Sequence, residues 1–333
     1  MKDLTDAMRR VAALTQSGDL MAATEAIQAA LGGRAMPAPT AQAFPGVGQR
    51  NVDATRTYRG QAGTRDYVLH VPQGLVVAKG LVVMLHGCQQ SPGDFATGTG
   101  MNALADAAGF VVAYPGQTRG ANVQGCWNWF EAEHQRRGVG EPAILAGVTG
   151  EVAAEFGLTR ERCFVAGLSA GGAMAATLGQ LYPDVFAGVG VHSGLALGSA
   201  DDLMSALAAM RGQGKAGVRA KGKAALVRTI IFHGDADGTV HPSNAGEVRA
   251  AARHHLPKGL RERVVDGVAK GRRYAQLVVE DASGRGFIED WTIAGAGHAW
   301  SGGNAAGSFT DAQGPDASAE MARFFFDGLA MAD

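Results

Sequence analysis

The stretch Phe164-Val165-Ala166-Gly167-Leu168-Ser169-Ala170-Gly171-Gly172-Ala173-Met174 decides the fold. An apolar run stops at a G-x-S-x-G turn, and a run of small and apolar residues of helical character follows. A sharp strand-to-helix turn of this kind lifts a serine hydroxyl above the end of a sheet and strains its backbone. The residues two positions away must therefore be small. Gly167 and Gly171 meet that demand, and Ala170 and Gly172 add clearance. The N-terminus of the following helix points free N–H groups at any negative charge developing on a substrate. Ser169 is thus a candidate nucleophile.

The same texture extends to both sides. Short apolar runs are predicted as strands at 81–85, 110–114, 163–166, 187–191 and 229–232, with a hairpin at 55–59 and 66–71 and last strands at 274–279 and 287–293. Helical stretches are predicted around 101–108, 143–156, 170–181 and 203–210. Apolar strands alternating with helices imply a mostly parallel sheet covered on both faces, an α/β architecture whose chemistry sits beyond the carboxyl ends of the strands. Ahead of this domain (55–333), residues 1–33 read as a helical hairpin, with apolar residues at helical spacing broken by Ser17-Gly18-Asp19. Residues 34–54, rich in Pro, Ala and Gly, read as a linker. The hairpin offers a surface for the main domain or for a second copy of the chain. The basic stretch 211–223 reads as a solvated loop.

Composition narrows the function. The 333 residues are 46% hydrophobic and 18% charged, with a formal net charge of −1, which fits a globular chain with a large core and no overall attraction to nucleic acid. No apolar run is long enough to span a bilayer. The start of the chain, acidic and without an apolar core segment, lacks the marks of a secretory signal, so a cytoplasmic address is expected.

A nucleophilic serine needs a base and an orienting acid, which follow it in this architecture in the order acid, then histidine. His233-Gly234-Asp235-Ala236-Asp237 follows the predicted strand at 229–232. Asp237, past the turn, is favoured as the acid over Asp235, which is closer to the strand end. His298, in the glycine-lined loop Ala294-Gly295-Ala296-Gly297-His298-Ala299-Trp300, is favoured as the base. His192, His241, His254 and His255 are weaker candidates by position. Met84-Leu85-His86-Gly87-Cys88-Gln89-Gln90 ends a strand expected beside the nucleophile strand, so the backbone N–H groups of Cys88 and Ala170 are the candidate oxyanion donors. Gly212-Gln213-Gly214-Lys215-Ala216-Gly217 matches G-x-G-x-x-G but follows a helical stretch, so no dinucleotide site is inferred. His233, Asp235, Asp237 and His241 lack metal-site spacing. Neither a cofactor nor a metal is expected.

With these residues in view, the chain resembles the poly(3-hydroxybutyrate) depolymerase-type esterases of the α/β-hydrolase superfamily, which are close to feruloyl and acetylxylan esterases. The resemblance covers roughly 55–327. It rests on Leu85-His86-Gly87-Cys88-Gln89-Gln90-Ser91-Pro92, Cys126-Trp127-Asn128-Trp129-Phe130, Gly167-Leu168-Ser169-Ala170-Gly171-Gly172 and Gly297-His298-Ala299-Trp300-Ser301-Gly302-Gly303. It implies Ser169, Asp237 and His298 as the catalytic residues of a serine carboxylester hydrolase acting on hydroxybutyrate oligomers or related polyesters, or on feruloyl or acetyl esters. It also implies that the Cys88 and Cys126 loops meet, which would allow a Cys88–Cys126 disulfide, with Cys163 left as a buried thiol. Trp127, Trp129 and Trp300 are expected to shape the acyl or alcohol pocket. A catalytically silent member of the fold, binding a partner through 1–33, is the contrasting reading.

Overall fold

A computed structural model describes residues 55–215, 225–254 and 256–328. The expected helical hairpin at 1–33, its use as a contact between copies, and the linker at 34–54 lie outside the described residues, as does most of the basic stretch 211–223. In chain order the elements are β1 (Thr55–Gly60), β2 (Gly63–His70), β3 (Leu81–Leu85), α1 (Pro92–Thr99), α2 (Met101–Ala108), β4 (Val111–Pro115), α3 (Gly140–Glu155), β5 (Cys163–Leu168) and α4 (Ala170–Leu181). They continue with β6 (Gly188–His192), α5 (Leu203–Ala208), β7 (Arg228–Gly234), α6 (Ser243–Arg253), β8 (Arg261–Ala269), β9 (Arg272–Glu280), β10 (Gly286–Ile293), β11 (Trp300–Ser301), β12 (Thr310–Asp311) and α7 (Ala317–Phe326).

Ten strands form one sheet in the order β1-β2-β4-β3-β5-β6-β7-β10-β9-β8. The central strands β4, β3, β5, β6, β7 and β10 are parallel, and an antiparallel hairpin closes each side. Alternation explains why β3 is apolar throughout. Leu81, Val83 and Leu85 enter the core on one face, together with residues of α3, α4 and α6. Val82 and Met84 enter the other, with residues of α1, α2 and α7. A strand buried on both faces reads as a continuous hydrophobic run.

The strand order fixes where a site can form. From β3 the chain crosses to β4 on one side, whereas from β5 it proceeds to β6 on the other. The loops leaving β3 and β5 therefore diverge and leave a crevice between them at the carboxyl ends of the strands. His86-Gly87-Cys88 and Ser169 both sit at this point.

Some elements differ from expectation. α1 was not predicted, because Pro-Gly-Asp-Phe-Ala-Thr-Gly-Thr holds weak helix formers. It forms because the Ser91 hydroxyl accepts from Asp94 N–H, Pro92 sits in the first turn, and Phe95 is buried. β8 was not predicted either. It is an edge strand carrying Arg261, Glu262, Arg263 and Asp266, with Val264 and Val268 exposed, and such charge on a free edge discourages pairing with other chains. Among the described residues no helix is long and apolar enough to cross a membrane.

Candidate active site

Ser169 stands between β5 and α4 with φ 57° and ψ −119°, a strained conformation for a residue with a side chain. Backbone crowding demands glycine around it. A Cβ at Gly171 would lie 2.0 Å from the Leu85 carbonyl oxygen, and one at Gly167 would lie 2.4 Å from the carbonyl of Gly171. Ser169 N–H donates to the His192 carbonyl at 2.9 Å, which holds the turn to the end of β6.

The loop after β3 lies against this turn, since a Cβ at Gly87 would approach Ser169 Cβ to 3.6 Å. The loop is tied at several points. Gln117 N–H donates to His86 Nε2 at 3.1 Å, so the other ring nitrogen, Nδ1, donates to the Gly87 carbonyl at 2.8 Å. Burial disfavours the His86 cation and lowers its pKa, in keeping with this neutral tautomer. Gly87 N–H donates to Gln90 Oε1 at 2.9 Å, and Gln90 Nε2 in turn donates to Asp94 Oδ2 and to the Ser308 carbonyl, each at 3.0 Å. Cys88 is bonded to Cys126. Among the described residues no acceptor engages the Cys88 N–H. Cys163 is a buried free thiol, as expected.

Asp237 follows β7 in a turn, and its side chain is fully enclosed. One carboxylate oxygen accepts from the N–H groups of Thr239 and Val240, both at 2.9 Å. The other accepts from His298 Nδ1 at 2.8 Å, and His233 Nε2 lies 3.5 Å from it. Burial alone would raise the Asp237 pKa. The hydrogen bonds of His233 and His298, the His298 charge and the Val240 N–H outweigh it and hold the carboxyl far below the usual range. Asp235 does different work. It accepts from Gly295 N–H at 2.6 Å and thereby pins the loop that carries His298. Ala236 N–H adds a bond to the Ala296 carbonyl at 3.1 Å. The pairing preferred from position, Asp237 with His298, is the one the geometry brings together.

His192 is an internal fixture. Its Nε2 accepts from Ser301 N–H at 3.0 Å, so Nδ1 donates to Ser193 Oγ at 3.2 Å. The ring stacks on Phe232 and Trp300. Burial first, then repulsion from His233 and His298, brings its pKa down to about 3.

The tryptophans require a correction. Trp127 is 0% and Trp300 1% exposed, so neither ring offers a face to an ester chain. Trp127 Nε1 donates to the His86 carbonyl at 3.1 Å, and the Arg65 guanidinium lies over the ring. Trp300 Nε1 donates to Ser318 Oγ at 3.0 Å, and its ring meets Phe95 edge-on. Trp129, 7% exposed, packs edge-on against Phe130. These rings support the loops around the site. The local sequence overlooked a buried polar cluster that fixes the same loops. Glu141 accepts from Asn128 N–H at 2.8 Å and from Gln117 Nε2, while Arg65 donates to Gln117 Oε1. Its members come from β2, α3 and two loops, and no pattern along the chain relates them.

The comparisons with known proteins bear on this arrangement. The model of the family described as "Esterase PHB depolymerase" matches residues 65–256, more than half of the chain. The chain belongs to this family. Poly(3-hydroxyalkanoate) depolymerase C of Paucimonas lemoignei is 33% identical over 239 residues, covering 69% of this chain and 57% of the relative. Acetylxylan esterase A of Talaromyces purpureogenus is 28% identical over 199 residues, covering 55% of this chain and 51% of the relative. The chain thus spans about half the length of these family relatives. The solved acetyl xylan esterase from Aspergillus awamori superposes with a TM-score of 0.58 at 20% identity, covering 70% of this chain and 89% of that one. The chain has the α/β-hydrolase fold.

Proposed function

We propose that this member of the Esterase PHB depolymerase family is a serine carboxylester hydrolase working through an acyl-enzyme, with hydroxybutyrate oligomers or related polyesters as its leading substrates. The observation that carries the reading is the enclosed Asp237–His298 pair at 2.8 Å, with the second carboxylate oxygen already held by two backbone N–H groups. An acid fixed in this way can only orient the imidazole and stabilise its cation. Nδ1 keeps its proton, and Nε2 is left as the basic nitrogen.

In this mechanism Ser169 Oγ attacks the ester carbonyl and His298 Nε2 takes its proton. The Cys88 and Ala170 N–H groups receive the oxyanion. His298 then returns the proton to the leaving alcohol. Water, activated by the same imidazole, releases the acid and restores the serine. Hydrolysis of feruloyl or acetyl esters is the second reading, supported by the named activity of the acetylxylan esterase relative. The Cys88–Cys126 bond favours an oxidising compartment over the cytoplasmic address expected from the N-terminal residues.

The test has two parts. A fluorophosphonate should label the folded protein, and the adduct should map to Ser169. A folded protein that resists labelling would leave the catalytically silent alternative. A hydrolysis panel of hydroxybutyrate trimer, methyl ferulate and an acetylated sugar then ranks the substrate classes. Preferential hydrolysis of either of the last two would overturn the polyester assignment.

A further inference from the structure

The proposed base and the proposed oxyanion donor must act on one ester carbonyl, yet they follow strands that lie far apart. Cys88 follows β3 and His298 follows β10, and in the order β3-β5-β6-β7-β10 these strands are four positions apart. At about 4.8 Å per strand this is roughly 19 Å. The sheet by itself does not set one loop against the other.

The chain closes this gap after His298. β11 pairs with β12, and Trp300 N–H donates to the Phe309 carbonyl at 2.7 Å. The segment between these strands turns back against α1, where Asn304 N–H donates to the Gly98 carbonyl at 2.8 Å. It reaches Ser308, beside the loop that leaves β3. Asp94, in the first turn of α1, accepts from Ser308 N–H at 2.9 Å and from the Ser308 hydroxyl at 2.5 Å.

Gln90 stands at this junction and is 8% exposed. Its Nε2 donates to the Ser308 carbonyl and to Asp94 Oδ2, each at 3.0 Å, while its Oε1 accepts from Gly87 N–H at 2.9 Å. Two acceptors on one side and a donor on the other permit a single orientation of the amide. The Gly87 carbonyl accepts from His86 Nδ1 at 2.8 Å, and it belongs to the planar peptide unit whose N–H is the Cys88 donor. Gly87 is thus held at its N–H by Gln90 and at its carbonyl by His86, which fixes the direction of the Cys88 N–H. The Gly87 N–H is itself occupied, so Cys88 supplies the donor of this loop.

We propose that Gln90 is a positioning residue: its one amide fastens the loop of the oxyanion donor to the segment that follows the base, and so sets the spacing of the two across Ser169. The inference rests on the acyl-enzyme reading above. The test uses the full chain with a p-nitrophenyl ester and a fluorophosphonate, whose adduct places an oxygen where the oxyanion sits. Gln90→Leu should lower kcat by about 30-fold or more, with KM within about threefold, because the misplaced donor acts on the transition state. The rate of fluorophosphonate labelling should fall in parallel. Gln90→Glu keeps an acceptor for Gly87 N–H but sets a carboxylate against Asp94, and should lose about tenfold or more near pH 8. Adding Asp94→Asn exchanges donor and acceptor between the two positions and should recover at least about threefold of that loss. If Gln90→Leu does not fold, this cycle decides. A kcat for Gln90→Leu within about threefold of the parent, a loss confined to KM, or losses from Gln90→Glu and Asp94→Asn that simply multiply would overturn the proposal while a labelled parent keeps the ester-hydrolase reading. A folded parent that resists the fluorophosphonate would overturn both.

Discussion

Asp235 and Asp237 are two residues apart and do unlike work. On the proposed mechanism Ser169→Ala, His298→Ala and Asp237→Asn should each lower kcat by about 10⁴-fold or more, and pairs of these changes should cost little beyond one, because the three act as a unit. Asp235→Asn keeps an oxygen for Gly295 N–H and should lose no more than about tenfold. The kcat values on a p-nitrophenyl ester decide it, and a reversed order would transfer the acid role to Asp235. His192 governs a different property. The folded protein keeps this ring neutral down to about pH 3, whereas the unfolded chain protonates near 6.5. Between these values the unfolded state binds more protons. The stability His192 contributes is thus complete above about pH 6.5 and declines on acidification by up to ~1.4 kcal/mol per pH unit. Urea titrations across this window should show a shallower slope in His192→Gln. The Asp237 contribution, with its folded pKa depressed, remains until the pH falls below roughly 4, where unfolded carboxyls protonate.

At the scale of elements, the turn between β5 and α4 is held in shape by contacts with β3. A Cβ at Gly171 would overlap the Leu85 carbonyl oxygen at 2.0 Å, and neither backbone can retreat without breaking the β3–β5 ladder. Gly171→Ala should therefore destabilise the protein by about 3 kcal/mol or more, or prevent its folding; a thermal midpoint within 2 °C of the parent, roughly 1 kcal/mol for a domain of this size, would refute that account. The loops bearing Trp127 and Trp300 are built by burial. Truncating either ring should loosen the loops and lower kcat/KM for a small acetate and a bulky oligomeric ester together. A ratio of the two that stays within about twofold supports a scaffolding role. A selective loss on the oligomer would restore substrate contact to these rings.

Across the whole molecule, the Cys88–Cys126 bond joins loops 38 residues apart in sequence and clamps the loop carrying a proposed oxyanion donor. Closing a loop of that length limits the unfolded chain by about 3–4 kcal/mol. Reduction should lower the melting temperature by several degrees and reduce kcat more than it raises KM, since the donor acts on the transition state. Cys163 should not contribute. Burial, with a smaller push from Glu161, raises its pKa to about 12, so it should resist thiol reagents until the protein unfolds. Labelling of Cys163 in the native, oxidised protein would contradict this.

The sequence determined the features whose signals are local. Apolar runs gave the parallel strands because strands buried on both faces need no polar positions. G-x-S-x-G located the strained turn because only glycine tolerates the crowding there. That Ser169, Asp237 and His298, the residues proposed to act together, each sit in a loop or turn after a strand was legible because the strand runs end just before them. Tertiary structure decided the rest. That Asp237 meets His298 while Asp235 pins the histidine loop depends on how two loops 60 residues apart pack. That the tryptophans are enclosed depends on β2, α1 and α7 closing over them. The Arg65–Gln117–Glu141 cluster arises from residues that are distant in the chain. Burial and hydrogen bonding are properties of the assembled chain, and no spacing along the sequence encodes them.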